Sequence, residues 1–398
     1  MKNLKIFTEN IEETAKEQID LLLEQEPFKN SKIRIMPDVH AGKGCVIGFT
    51  GDLGNKVIPN IVGVDIGCGM LCVNLGNDDF DLEKLDNIIK QNIPSGMNVH
   101  DEPVQYYDFT KLYCYKELKN KNGWLEKSLG SLGGGNHFIE IDKDEDNNKY
   151  LVIHTGSRNL GKQVAELYQE KAIKYCSFEK EMQEEKNRII KEYKEQGKAN
   201  EIQKTLQEIN KKYQGKTKLP KDLCYLEGKD REDYLHDMRL CQEFAVLNRE
   251  WIAGEIISKM GLVLFVKDSF HCIHNYINFE DNIIRKGSIS ARKGEKVIIP
   301  MNMRDGCIIG IGKGNEDWNY SAPHGAGRIM SRMKAKNELN MSDYKESMKD
   351  IYSTSINENT IDEAPMVYKP MEEILENIKD TVEVIKIIKP IYNFKAND

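Results

Sequence analysis

The sequence predicts an α+β protein, one continuous domain of mixed β-sheets flanked by helices with a charged helical insertion. Three observations predict it. Short apolar runs bounded by Gly, Pro or Asp recur along the chain, as buried strands do. Between them lie charged segments whose apolar residues return three and four positions apart, the spacing of a helix. Across 398 residues no Pro- or Ser-rich linker marks a boundary, so a single domain spanning 1–398 is the simplest organisation.

In chain order, helical spacing covers 11–24, and strand-like runs follow at 33–36, 46–49 and 61–64. Two more apolar runs, 138–141 and 151–153, precede a helical stretch at 163–176. From 178 to 213 the chain is mostly Glu, Lys and Gln, with sparse apolar positions such as Met182, Ile189, Ile202 and Ile209. That composition reads as a projecting helical hairpin, interrupted near Gly197 and solvated on most sides. A long helix is expected at 230–259, strands at 262–266 and 297–299, and a final helix at 371–387.

The formal net charge of -7 excludes a chain coated in basic charge for bulk nucleic-acid binding, while leaving local basic patches such as 285–296 and 328–336. Nine cysteines without regular spacing suit a reducing compartment better than a disulfide framework. The start Met1-Lys2-Asn3-Leu4-Lys5 carries no apolar signal segment, and no stretch approaches the roughly 18 apolar residues of a membrane span. A soluble, cytoplasmic protein is expected, with no membrane partner.

Five of the eight histidines sit in polar or glycine-rich surroundings, at His40, His137, His154, His274 and His324, which is unusual for core packing. With Val64-Asp65-Ile66-Gly67-Cys68-Gly69 they supply thiolate, imidazole and carboxylate, the ligand types of a transition-metal site. Asp65 and Cys68 would face opposite ways on a regular strand, so their convergence requires the bend that Gly63, Gly67 and Gly69 permit. Gly133-Gly134-Gly135-Asn136-His137-Phe138-Ile139-Glu140 lets backbone approach a ligand, with Asn136 and Glu140 on one face of an extended segment and His137 on the other. In His271-Cys272-Ile273-His274 no CxxC partner completes a closed zinc site, so an open catalytic site fits better and only one of the two histidines reaches it.

Gly156-Ser157-Arg158-Asn159-Leu160-Gly161-Lys162-Gln163 nearly matches the phosphate-cradling loop that follows a strand and opens a helix. Gln163 stands where a magnesium-binding hydroxyl is required, which argues against an ATPase, although the helix N-terminus still suits an RNA phosphate. Further on, Pro323-His324-Gly325-Ala326-Gly327-Arg328 leads into a helical-looking 328–336, a setting in which an imidazole meets phosphate as ligand, base or nucleophile.

Six ordered motifs carry a resemblance: Met36-Pro-Asp-Val-His40, Asp65-Ile-Gly-Cys68-Gly, Gly133-Gly-Gly-Asn-His137-Phe-Ile-Glu140, His154-Thr-Gly-Ser-Arg158, His274-Asn275 and Pro323-His-Gly-Ala-Gly-Arg328. Together, spanning nearly the whole chain, they resemble the RtcB family of RNA ligases. The resemblance implies an RtcB-like fold and two manganese ions bridged by Cys68, one completed by His154 and His274, the other by Asp65 and His137. It implies that His324 is the nucleophile that takes a guanylyl group from GTP. Nucleotide contacts are implied for Asn136, His137, Phe138, Ile139, Glu140, His274, Asn275, Pro300, Met301, Asn302, Met303, Cys307, His324, Gly325, Ala326, Gly327 and Lys395. From the local basic positions, RNA contacts are expected at Arg158, Arg292, Arg304 and Arg328.

The expected activity is joining RNA 2′,3′-cyclic phosphate or 3′-phosphate ends to 5′-hydroxyl ends, as in tRNA splicing or RNA repair. Cys with His selects manganese-to-zinc metals over magnesium, and affinity alone favours zinc. The run Pro300-Met301-Asn302-Met303-Arg304-Asp305-Gly306-Cys307 departs from the Gly-Ser/Thr-Met-Gly pattern and later serine of many members: Asn302 and Cys307 replace hydroxyls, and Arg304 brings a cation. It marks a divergent subfamily. Two rival readings use the same residues, a metal-dependent RNA phosphoesterase or cyclic phosphodiesterase and an inactive RNA-binding paralogue.

Overall fold

Fourteen strands and a set of helices make up the computed structural model, which describes residues 3–79, 81–263 and 266–396. The strands are β1 (Leu4–Ile6), β2 (Ile33–His40), β3 (Ile47–Asp52), β4 (Gly69–Gly76), β5 (Phe138–Lys143), β6 (Lys149–Thr155) and β7 (Asp268–Ile273). After these come β8 (Asn275–Asn278), β9 (Ile283–Lys286), β10 (Ser288–Ser290), β11 (Lys296–Asn302), β12 (Gly306–Gly312), β13 (Ser321–Pro323) and β14 (Val382–Lys395). They form a five-stranded sheet in the order β1-β2-β3-β9-β8, a β10-β13 pair, and a seven-stranded sheet in the order β11-β12-β14-β5-β6-β4-β7. The α+β class is therefore observed.

The large sheet is antiparallel throughout and curls until its edges meet, where the Ile298 N–H donates to the Cys272 Sγ at 3.3 Å. Alternation along its strands separates two cores. Met70, Cys72, Phe138, Tyr150 and Val152 point into the curled interior, whereas Leu71, Val73, Ile139, Leu151 and Ile153 pack outward against Ile252, Ala253 and Ile256. The latter three lie on the helix Gly228–Met260, whose 33 residues make it about 50 Å long at 1.5 Å per residue. Its N-terminal half buries Tyr234, Met238, Cys241 and Phe244 in a third core, beside the helix Arg158–Tyr175 and the five-stranded sheet. One helix thus braces both sheets.

Several expected elements are corrected by tertiary pairing. The run at 61–64 is not a strand: Pro59–Val62 forms a short helix that ends at Gly63, because Pro59 is set for a first helical turn and lies buried among apolar neighbours. The expected strand at 262–266 includes positions outside the described residues, and the ordered strand in this region is β7, from Asp268. The helix expected at 371–387 stops at Asn377, and 382–395 is the 14-residue β14. Val382, Val384, Ile385, Ile387 and Ile388 satisfy helical spacing and β-propensity alike, and pairing with β12 and then β5 decides for the strand. The helix expected at 328–336 begins only at Arg332, where Ser331 caps the Lys334 N–H, so His324 does not stand at its N-terminus.

The charged segment forms two helices, Glu179–Glu195 and Ile202–Tyr213, broken after Gln196 near Gly197. Ile209 is the one buried residue of the two, and Lys212 bridges to Glu185 at 2.7 Å. Its ends adjoin, since Ser177 pairs with Thr217 and the Lys218 N–H donates to the Cys176 carbonyl at 2.9 Å. Replacing 179–215 with a short Gly-Ser turn is expected to shift the melting temperature by only a few degrees, as little apolar area is lost. Differential scanning calorimetry checks this, and a large drop would mean the hairpin braces the core.

Candidate active site

Three strand ends and one turn bring the expected ligands together. Cys68 lies immediately before β4, His154 near the end of β6 and His274 just after β7, and β4 pairs with both neighbours so that Met70 faces His154 and Gly69 faces Ile273. A Cβ on Gly69 would meet the Cys272 carbonyl oxygen at 2.5 Å, so only glycine lets β7 come this close. The Cys68 Sγ lies 3.3 Å from the His154 Nε2 and 3.5 Å from the His137 Nε2. The His154 and His274 Nε2 atoms are 3.3 Å apart, and the His137 Nε2 is 2.9 Å from the Asp65 Oδ2. Two groups capable of holding a metal result, Cys68-His154-His274 and Asp65-Cys68-His137, with the sulfur common to both.

The imidazoles are pre-set as ligands. His137 donates its Nδ1–H to the Leu132 carbonyl at 2.9 Å and His154 its own to the Asn136 carbonyl at 3.1 Å, which leaves each Nε2 lone pair turned toward the sulfur. Burial pushes His154 and His274 well below the usual histidine range, so both rings are neutral, the form that binds metal. Burial raises the Cys68 thiol far up, with the Asp65 charge adding to it. Burial would raise Asp65 too, but the His137 contact holds its carboxyl below the ordinary value. Neutral imidazole nitrogens packed Nε2 to Nε2 beside a thiol form a donor set suited to divalent cations, whose charge would favour the thiolate.

Beneath the cluster Arg249 is fully buried and donates to the carbonyls of Gly67 at 2.9 Å and Thr155 at 2.7 Å. Burial lowers its guanidinium to about 10, still a cation at neutral pH. Its neighbour Asn248 accepts from the Gly130 N–H at 2.7 Å and donates to the Gly156 carbonyl at 3.2 Å, tying two site loops to the long helix. Neither residue is legible in a motif, since both lie inside a helical pattern.

A cavity of about 220 Å³ opens on one side of the cluster. His154 and His324 line it, as do Asn136, Phe138, Glu140, Pro300, Met301, Asn302, Met303, Gly325, Ala326, Gly327 and Lys395 from the expected nucleotide contacts. Others of that set lie elsewhere. Ile139 packs in the outer core, Asn275 receives the Gly287 N–H, His137 faces a second cavity, and Cys307 lies buried against Glu140 and Asp142. His40 also lines the first cavity, whereas His271 turns away toward Arg249 and Glu250.

His324 follows β13, and its Nδ1 lies 2.6 Å from the Asp38 Oδ2, which also accepts the His324 N–H at 3.1 Å. Asp38, fully buried on β2, is a functional candidate that the motif Met36-Pro37-Asp38-Val39-His40 contained without marking it. Glu363, Asn393, Arg332 and Tyr368 complete the cavity and were likewise not singled out, because pairing across the fold, not local pattern, brings them in. Lys395 donates to Glu363 at 2.9 Å and lies over the Phe138 ring.

The four arginines expected at RNA differ in setting. Arg158 donates to the Ser131 hydroxyl at 2.9 Å and the Gly96 carbonyl at 2.8 Å and lines the second cavity, about 750 Å³, beside Asp65 and His137. Arg328 is held by Glu363 and the Asp362 carbonyl at the first cavity. Arg292 pairs with Asp281 at 2.6 Å and Arg304 with Asp305 at 2.7 Å, where Asn302 accepts two backbone N–H groups of the β11–β12 turn.

A buried thiol-imidazole-carboxylate cluster that could hold metal adjoins two cavities, with a carboxylate-oriented histidine at its edge. The chain matches the family described as tRNA-splicing ligase RtcB over residues 23–125 and 114–396. It is 31% identical over 437 aligned positions to the RNA-splicing ligase RtcB of Escherichia coli strain K12, covering 99% of this chain and 97% of that protein. It is 27% identical to the tRNA-splicing ligase RtcB of Nanoarchaeum equitans, over 86% of this chain and 83% of that protein. The chain belongs to the RtcB family of RNA-splicing ligases. No helix among the described residues is long and apolar enough to cross a membrane.

Two outcomes are expected here. A Cβ at Gly156 would lie 2.2 Å from the Asp65 Oδ1, so Gly156→Ala should displace that carboxylate and lower uptake of an added divalent metal, and Cys68→Ala, which removes the shared sulfur, should lower it further. Elemental analysis of manganese-loaded protein reads both, and full occupancy in Cys68→Ala would refute the shared-sulfur arrangement. Glu363 is held at about 2 against burial by Lys395 and Arg332. A depressed carboxylate stabilises the fold above its unfolded pKa and loses that contribution as pH falls from about 4.3 through about 2. Glu363→Gln should therefore lower stability by up to about 3 kcal/mol at pH 7, and its gap from wild type should shrink toward pH 2, as read by urea titration.

Proposed function

We propose that this chain is a GTP- and manganese-dependent RNA ligase that joins 2′,3′-cyclic phosphate or 3′-phosphate ends to 5′-hydroxyl ends through a guanylyl-His324 intermediate, the whole chain acting as one catalytic unit. The observation that carries the reading is the 2.6 Å contact between the His324 Nδ1 and the buried Asp38. Asp38 accepts the Nδ1–H, which leaves the lone pair on Nε2, and His324 lines the cavity next to the cluster, its ring 4.8 Å from that of His274. An imidazole so oriented is a nucleophile.

Asp65 and His137 would hold one ion, His154 and His274 the other, with the Cys68 sulfur between them, and such ions neutralise phosphate charge and polarise P–O bonds. In the reaction the His324 Nε2 forms a bond to the α-phosphorus of GTP as the bond to the bridging oxygen breaks and pyrophosphate leaves. Water opens an RNA cyclic phosphate to a 3′-phosphate, the guanylyl group moves from His324 to that phosphate, and an incoming 5′-hydroxyl displaces GMP. Glu140 suits the donor edge of guanine, Asn136 and Lys395 the rest of the nucleoside, and Arg158 an RNA phosphate at the second cavity. Two cavities that reach different members of one cluster, His154 in the first and Asp65 with His137 in the second, support a nucleotide in one and an RNA end in the other.

Incubation with α-labelled GTP and manganese tests the proposal. Wild type should take a covalent label that His324→Ala abolishes, and Asp38→Ala should slow labelling by about 10²–10⁴-fold. Cyclic phosphate hydrolysis without any label would instead support a phosphoesterase.

A further inference from the structure

A third polar group lies inside the curled sheet, beneath the first cavity. Glu140, Asp142 and Cys307 are all buried, and their oxygen and sulfur atoms lie within 4.8 Å of one another. Glu140 and Asp142 share the inward face of β5, while Cys307 comes from β12. The nearby cations are engaged elsewhere: Lys386 pairs with Asp144 at 2.8 Å and Lys395 with Glu363 at 2.9 Å. Asp142 is left facing a second carboxyl, the Cys307 thiol and, further off, Cys72. Glu140 also accepts from the Asn393 amide at 2.5 Å and feels the Lys395 charge.

We propose that Asp142 is a positioning residue for purine choice: its carboxyl group grips Glu140 from beneath and fixes the Glu140 carboxylate toward the Watson–Crick edge of guanine. The proposal rests on the GTP reading above. Two carboxyls in contact in a dry interior cannot both ionise, so the pair shares one proton. Burial raises both, Asp142 the more strongly, which makes Asp142 the donor and Glu140 the anion. An anionic carboxylate matches the N1–H and N2–H donors of guanine, whereas adenine sets its N1 lone pair against it. Without Asp142 as donor, Glu140 would take the proton itself and could pair with adenine as well. An apolar side chain would fill the same core position without burying a carboxyl, so the sheet interior by itself does not call for Asp142.

The test compares Asp142→Asn, which keeps an N–H donor, with Asp142→Leu, which does not, by covalent labelling of His324 with GTP and with ATP. Asp142→Asn should keep its KM for GTP within roughly threefold of wild type, while Asp142→Leu should raise KM about 10- to 100-fold with little change in maximal rate. The GTP-over-ATP preference should fall in Asp142→Leu alone. An unchanged KM and preference in Asp142→Leu, or equal losses in both variants, overturns the proposal. Infrared difference spectra of wild type minus Asp142→Asn at neutral pH provide a reading that needs neither the leucine variant nor nucleotide. A protonated carboxyl band supports the shared proton, and its absence overturns it. A wild type that takes no label from GTP sinks the ligase reading and the purine role with it. A labelled wild type with an indifferent Asp142→Leu sinks the Asp142 role alone.

Discussion

The lateral approach of β7 to β4 across Gly69 is the contact on which the site depends. It sets Cys68 and His274 side by side, while the pairing of β4 with β6 on its other edge adds His154. A side chain at Gly69 would push the Cys272 carbonyl away, and with it the backbone that carries His274. Ladder hydrogen bonds are rigid compared with loops, so the sheet itself fixes the geometry of three donors on adjoining strand ends.

Electrostatics then decide what the cluster accepts. Two imidazoles held neutral by burial, a thiol and a carboxylate lie over a guanidinium that is itself tied to backbone carbonyls. Arg249 offsets the negative charge of Asp65 and of a Cys68 thiolate, and so eases gathering anionic ligands in a dry interior. The helix that supplies it also braces both sheets, which links the site to the global packing.

At the first cavity, β14 does a comparable service. Its first half completes the sheet beside β12 and its second half lies along β5, where Asn393 faces Glu140 and Lys395 faces Phe138. The last strand of the chain therefore delivers a cation and an amide to residues about 250 positions earlier. The same cavity is closed by Glu363, Arg328 and Arg332, an ion network in which one carboxylate meets three cations.

Much of this was legible in the residues. The class of fold and the paired helices around Gly197 were readable from pattern, and Asp65, Cys68, His137, His154, His274 and His324, which the structure gathers around one cluster, stood out because each is announced by glycine or by an unusual polar neighbour. The burial of Asp38, Arg249, Glu363 and Asp142 beside the site could not be read: a buried charge in a strand or helix looks the same in sequence as an exposed one. Nor could 382–395 be read as a strand, since its β-branched residues fit both periods and only a vacant place between β12 and β5 chooses between them. The amino-acid sequence by itself determined the chemistry available and the family that uses it. The tertiary structure alone decided which charges are buried, which carboxyl faces which histidine or carboxyl, and which members of the cluster each cavity reaches, because those depend on strand register and not on local spacing.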